Sequence, residues 1–85
     1  MPYVRIYTLA GCPYCAQAKK LLTDKGVTFE EIDATGDEPM RTWLRQVTGK
    51  STLPQTFVNR RSLGGASDLV ALEETGELNA ILGLY

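Results

Sequence analysis

The 85-residue chain has no histidine and only two cysteines, Cys12 and Cys15. A structural zinc ion needs about four ligands, so carboxylates or a second subunit would have to complete a site around this pair, and we expect no bound metal. A disulfide across two intervening residues closes too small a loop to stabilise the fold much through chain entropy. The pair is therefore expected to have a chemical role. The alternative that stays open is that the two cysteines are buried and unrelated.

Long apolar segments and clusters of basic residues are missing as well. No run approaches the roughly 18 apolar residues that span a bilayer, and the first residues alternate apolar and polar side chains instead of forming a secretory signal. With 9 Lys and Arg against 10 Asp and Glu, the chain offers no electropositive surface to nucleic acids or anionic membranes. The sequence thus predicts a cytoplasmic protein without a nucleic-acid or membrane partner.

The composition that remains is typical of a small globular fold. Hydrophobic residues make up 44% of the chain and charged residues 22%, which suits one compact core. Because the length is too short for two cores, residues 1–85 are expected to form a single domain.

Residue patterns predict strands and helices in alternation. Strands are expected over Tyr3–Thr8, Val27–Ile32, Thr56–Asn59 and Ser62–Leu63, and helices from Pro13 to about Lys25, between Asp37 and Gly49, from Ser67 through Leu72 and over Leu78–Leu82. Asp37 and Ser67 are candidate N-caps, and Asn59-Arg60-Arg61 is typical of a hairpin turn. The order βαβαββαα predicts an α/β fold of three layers, with a parallel and an antiparallel pair in one sheet.

The two cysteines fall where the first strand passes into the first helix. A cysteine at a helix N-terminus faces unpaired backbone N–H groups and the positive end of the helix dipole, and both favour a thiolate over a thiol. Cys12 is therefore the candidate nucleophile. Cys15 lies one turn further on and is expected to be less exposed and less acidic, which makes it the candidate resolving thiol.

Three motifs occur in order along the chain: Cys12-Pro13-Tyr14-Cys15, Thr52-Leu53-Pro54 and Gly64-Gly65-Ala66-Ser67-Asp68. Together they resemble the motif set of dithiol glutaredoxins in the thioredoxin superfamily, and the resemblance covers essentially the whole chain. It implies a thioredoxin-like fold with a four-stranded mixed sheet flanked by helices. It also implies glutathione-dependent reduction of protein disulfides and glutathione mixed disulfides, with glutathione as co-substrate and no bound cofactor.

The resemblance also implies where the middle of glutathione would bind. Pro54 would be a cis-proline, and Leu53 would pair through its backbone with the cysteinyl part of glutathione. Tyr14 would flank the glutathione sulfur, and Thr52 would line the groove. The plainer interpretation of Pro54 is a trans turn residue, since most X-Pro bonds in folded proteins are trans.

The two ends of glutathione are assigned in the same way. Ser67 and Asp68 would meet the carboxylate and ammonium of the γ-glutamyl group, and Arg41 the glycyl carboxylate. Taken alone, Ser67 and Asp68 are ordinary helix-start residues and Arg41 an ordinary surface charge. Leu9 departs from the family, because many members carry a lysine there, so either weaker glutathione binding or a larger role for Arg41 is expected.

Other functions stay open on the same residues. A thioredoxin-like reductant fed by a flavoprotein reductase, a carrier of a [2Fe–2S] cluster held by two subunits with glutathione, and a non-catalytic interaction module all fit the fold. For the dithiol oxidoreductase, the expected partners are glutathione and disulfide-bonded or glutathionylated proteins, ribonucleotide reductase being one candidate. The protein is expected to act as a monomer.

Overall fold

Four strands form one mixed sheet in the computed structural model, which describes residues 2–84. In chain order the elements are β1 (Val4–Thr8), α1 (Pro13–Asp24), β2 (Glu30–Asp33), α2 (Glu38–Thr48), β3 (Gln55–Val58), β4 (Arg61–Gly64), α3 (Ala66–Thr75) and α4 (Glu77–Leu82). The strand order is β2-β1-β3-β4, parallel between β1 and β2 and antiparallel elsewhere. The predicted element order and mixed sheet are confirmed.

The two faces of the sheet are covered by different helices. Successive residues of a strand point to opposite faces. Val4 and Ile6 belong to a buried cluster with residues of α1, α3 and α4, whereas the Tyr7 ring packs against Trp43 of α2, with ring centroids 5.7 Å apart. Helix α2 therefore lies alone on one face, as the three-layer prediction requires.

The main core fills the space between the sheet and α1, α3 and α4. Leu22, Leu69 and Leu78 are fully buried there, and burying one such side chain is worth about 1.5–3 kcal/mol. The cluster consists of Val4, Ile6, Ala18, Leu22, Val27, Val58, Leu63, Ala66, Leu69, Leu78 and Leu82. It holds α1 against the sheet, and with it the strand-to-helix junction that carries both cysteines.

The second strand begins later than predicted. Val27 is buried, but its backbone N–H donates to the Leu22 carbonyl at 3.0 Å, where α1 ends. A backbone N–H used to close a helix is not available to a strand. Pairing with β1 therefore starts only at Glu30, which lies opposite Arg5.

The turn between β3 and β4 is also shorter than predicted. Asn59 adopts a left-handed backbone with φ 56°, which ends β3 one residue early. Arg61 belongs to β4 instead of the turn and lies opposite Val58.

The ends of α2 agree with the sequence prediction. The Asp37 side chain accepts a hydrogen bond from the Met40 N–H at 3.0 Å and so caps the helix. Gly49 takes the left-handed conformation at the other end, with φ 72°.

Candidate active site

Cys12 lies at the junction of β1 and α1, where it is the N-cap residue of α1. Its backbone is extended, and its sulfur accepts a hydrogen bond from the Cys15 N–H at 3.2 Å. Pro13 occupies the first helical position, where its missing N–H costs nothing. The Cys12 sulfur thus receives one of the N–H groups that the first helical turn leaves without a partner inside the helix.

Cys15 is placed quite differently although it is only one turn away. It is 2% exposed, and burial, followed by a hydrogen bond with Cys12, raises the pKa of its thiol to about 11. The Leu9 backbone N–H and the charge of Lys19 act in the opposite direction. The expectation that Cys15 is less exposed than Cys12 is confirmed, and the raised pKa agrees with the weakly acidic thiol that was expected.

The Leu53-Pro54 peptide bond is cis, as the resemblance implied. The Leu53 carbonyl oxygen lies 3.9 Å from the Cys12 sulfur, within reach of its thiol as a donor. The loop before β3 therefore lies against the nucleophile candidate, although 41 positions separate the two residues in the chain.

A groove of about 430 Å³ runs between this loop, the start of α1 and the start of α3. It brings together six of the seven residues predicted to bind glutathione, and Tyr14 is 67% exposed and free to meet a ligand. The lining residues are Tyr14, Lys50, Thr52, Leu53, Pro54, Gly65, Ala66, Ser67 and Asp68.

Arg41 is not among the residues that line the groove. It borders a smaller neighbouring depression together with Lys50, Thr52 and Leu53, and its guanidinium lies 3.9 Å from the Glu38 carboxylate. Lys50 lines both spaces, and sequence analysis missed it. The pattern that could have found it is a lysine two positions before the Thr52-Leu53-Pro54 motif.

The start of α3 corrects the prediction for Ser67. Gly65 is the N-cap and the helix begins at Ala66, so Ser67 lies inside the first turn and does not cap it. The Asp68 carboxylate instead accepts the Gly65 N–H at 2.8 Å, and Lys50 lies 3.2 Å from the same oxygen. These two contacts, the first being the larger, hold the pKa of Asp68 below its usual value.

A second cavity of about 410 Å³ adjoins both cysteines from the side of β2. Lys19 and Glu31 form an ion pair there at 3.1 Å. Hydrogen bonds from Thr8 and then Lys19 lower the pKa of Glu31. No spacing pattern in the chain predicted this pair, because Lys19 of α1 and Glu31 of β2 are 12 positions apart and meet only in the folded chain.

Two further observations concern residues 2–84 only. Among these residues, no three Cys, Asp or Glu side chains cluster in a way that could hold a metal ion. None of the helices in that part of the chain has both the length and the apolar character needed to cross a membrane.

Comparison with known proteins decides the family. A family model described as glutaredoxin matches residues 4–63. The chain belongs to the glutaredoxin family. A glutaredoxin of Pseudomonas aeruginosa is 48% identical over 96% of this chain and 98% of its own length, and glutaredoxin 3 of Escherichia coli K12 is 42% identical over 96% and 99%. The solution structure of a glutaredoxin from Brucella melitensis is 46% identical, with a TM-score of 0.87 over 96% of this chain and 89% of that one.

Membership in the glutaredoxin family defines the activity class. The protein is a glutathione-dependent thiol–disulfide oxidoreductase with glutathione as its co-substrate. Its fold is thioredoxin-like, a four-stranded mixed sheet with flanking helices.

Proposed function

We propose that Cys12 is the nucleophile through which this glutaredoxin reduces glutathione mixed disulfides and protein disulfides. The observation that carries the proposal is the position of the Cys12 sulfur, which caps α1 and accepts the Cys15 N–H at 3.2 Å. Backbone N–H groups at a helix start stabilise a thiolate both as attacking group and as leaving group.

With a glutathionylated protein, the Cys12 thiolate attacks the glutathione sulfur. The protein sulfur leaves as a thiolate and takes up a proton, and a Cys12–glutathione disulfide remains. The thiolate of a second glutathione then attacks the glutathione sulfur of this adduct, which releases glutathione disulfide and restores the Cys12 thiolate. The substrate sulfur is thereby reduced to a thiol at the expense of glutathione.

With a protein disulfide, Cys15 supplies the second step. Cys12 first forms a mixed disulfide with the substrate, and the Cys15 thiolate then attacks the Cys12 sulfur and expels the substrate as a dithiol. The resulting Cys12–Cys15 disulfide is reduced by two glutathione molecules. Cys15 suits this role because it is shielded from external disulfides and adjacent to Cys12.

We assign glutathione to the groove of about 430 Å³. Its cysteinyl backbone would pair with Leu53 beside Pro54, and Tyr14 and Thr52 would flank it. Its γ-glutamyl group would meet the N-terminus of α3 at Ser67 and Asp68.

The glycyl carboxylate would lie toward the cations at the other side of the groove. Arg41 borders the neighbouring depression and Lys50 borders both spaces, which places two positive groups near the loop that holds Leu53. We add Lys50 to the site for this reason. In this assignment the two cations replace the lysine that many family members carry at the position of Leu9.

Serine variants of the two cysteines test the mechanism. Cys12→Ser should abolish all glutathione-dependent activity, because no nucleophile remains. Cys15→Ser should keep the removal of glutathione from proteins and lose the reduction of protein disulfides that need both thiols. The measurement is the glutathione-coupled assay with both substrate types, and equal losses in the two variants contradict the assigned roles.

Alanine variants of the two cations test the glutathione assignment. Arg41→Ala and Lys50→Ala should each raise the KM for glutathione about two- to fivefold with little change in kcat, because an exposed charge contact is worth up to about 1 kcal/mol. Arg45→Ala is the matched control, since Arg45 lies one turn beyond Arg41 on α2 and is exposed. An unchanged KM in both test variants rules out the assignment.

The remaining assignments concern the cellular setting. The bacterial relatives support a cytoplasmic protein. That it works as a single domain and as a monomer stays a prediction. Its substrates are proposed to be disulfide-bonded or glutathionylated proteins, with ribonucleotide reductase among the candidates.

A further inference from the structure

A cavity of about 670 Å³ lies on the face of the sheet covered by α2. Tyr3 precedes β1, and Asn59 and Arg60 form the turn between β3 and β4, so the cavity opens at the end of the sheet where β1 begins. Cys12 follows the opposite end of β1. The cavity is therefore separate from the glutathione groove and shares no lining residue with it.

Four of the eight residues that line this cavity are aromatic. Trp43 and Phe57 are stacked, with centroids 6.1 Å apart, and the Tyr7 ring meets both edge-on or tilted at 5.7 Å. Trp43 and Tyr3 are each more than two-fifths exposed, at 43% and 49%. Flat apolar walls with open ring surface suit a planar aromatic ligand.

The polar part of the lining is positive. Arg5 and Arg60 line the cavity, and none of the carboxylates of residues 2–84 does. Arg5 already has a carboxylate beside it, because its guanidinium lies 3.0 Å from Glu30, and it donates to the hydroxyls of Tyr3 and Tyr7. Within residues 2–84, Arg60 has no carboxylate within 4.0 Å. One cation at the cavity mouth is thus available to an incoming anion.

We propose that this cavity is a second binding site, for a small planar aromatic carboxylate. The ring would stack against Trp43 and Phe57, and the carboxylate would pair with Arg60 at the turn between β3 and β4. The volume lies within the range of about 300–1,000 Å³ that is usual for small-molecule sites. A bicyclic aromatic acid would fill the aromatic part and still reach the guanidinium.

A pair of matched ligands tests the proposal. The probes are 2-naphthoate and its uncharged analogue 2-naphthamide. Trp43 is the only tryptophan of the chain, so its indole N–H gives a single NMR resonance that reports on the cavity. We expect 2-naphthoate to shift this resonance saturably and to bind about fivefold more tightly than 2-naphthamide, as one exposed ion pair allows.

Two arginine variants identify the cation. Arg60→Gln should bring the affinity for 2-naphthoate down to that for 2-naphthamide, and Arg61→Gln should change neither affinity. Arg61 is the matched control because it is the next residue, is also exposed, and does not line the cavity. Equal affinities of wild type for the two probes, or equal effects of the two substitutions, would overturn the proposal.

Two further readouts separate this site from other occupants. Glutathione-dependent turnover should be unchanged at saturating 2-naphthoate, and competition with glutathione would place the ligand at the active site instead and overturn the proposal. The Trp43 resonance should not move when the free protein is diluted. A shift on dilution would assign the cavity to a second copy of the chain and overturn the proposal.

Discussion

Two cysteines of one four-residue motif lie in contrasting surroundings. The Cys12 sulfur receives a backbone N–H at the start of α1, whereas Cys15 faces the interior and is almost fully buried. Burial disfavours a charged thiolate, and helix N–H groups favour one. The position of each residue on the first helical turn is thus the main difference between their surroundings.

The raised pKa of Cys15 predicts a pH dependence for protein disulfide reduction. With a pKa of about 11, only a small fraction of this thiol is ionised near neutrality. Burial is the largest cause of this raised pKa and does not depend on the Cys12 thiol, which is consumed in the mixed disulfide. If attack by Cys15 limits the rate, single-turnover reduction of a protein disulfide should therefore rise with pH above about 7, by up to about tenfold for each pH unit. Stopped-flow measurement of substrate thiol release would follow this rise.

The Cys15→Ser variant provides the control for this pH profile. Its remaining activity relies on glutathione alone, so removal of glutathione from a protein should follow the ionisation of the glutathione thiol instead. A wild-type profile that levels off well below the pKa of about 11 would mean that Cys15 loses its proton more easily than its burial indicates.

The start of α3 is built around a contact between a glycine and a carboxylate. Gly64 has φ +90°, and a Cβ at this residue would overlap the Asp68 carboxylate. That carboxylate accepts the Gly65 N–H and lies beside Lys50 in the glutathione groove. The backbone of this element therefore leaves no room for a side chain at Gly64.

Gly64→Ala should affect both stability and glutathione binding. A positive φ costs an alanine about 1–2 kcal/mol, and displacing Asp68 from the Gly65 N–H should cost about 1 kcal/mol more. The KM for glutathione should rise because the same carboxylate borders the groove. Urea unfolding and steady-state kinetics measure the two effects.

Gly76→Ala is the matched substitution for this comparison. Gly76 also has a positive φ, 81°, but a methyl group added to it at the end of α3 would meet nothing within 4 Å. It should share the backbone cost and leave the KM for glutathione unchanged. If both variants lost stability equally with an unaltered KM, the contact at Gly64 would have no role in the site.

At the scale of the whole molecule, local patterns in the sequence predicted the element order well. The N-cap at Asp37, the stop at Gly49 and the cysteines at the strand-to-helix junction depend on neighbouring residues, so they can be predicted from sequence. The start of β2 could not be predicted in this way, because Val27 is buried like a strand residue while its N–H donates to the last turn of α1. An apolar pattern indicates that a segment is buried. Whether its residues belong to a helix or a strand depends on the backbone hydrogen bonds that they form.

Residues of the site could be predicted from sequence only where they belong to short motifs. Resemblance to the family grouped Tyr14, Leu53 and Ser67, and the structure places them along one groove. The contribution of Lys50 depends on a contact with Asp68, 18 positions away, which no short motif contains. Sequence analysis missed the aromatic cavity on the α2 face for the same reason, since its lining residues come from separate segments of the chain.

The nucleophile candidate follows β1, an inner strand with a hydrogen-bonded neighbour on each side. Both edges of the sheet, β2 and β4, can open transiently without releasing β1 from its remaining partner. The reacting sulfur consequently follows an inner strand, whereas the start of α3, which would bind the γ-glutamyl group of glutathione, follows the edge strand β4. This arrangement lets the start of α3 adjust to differently shaped disulfides without displacing the Cys12 sulfur that attacks them.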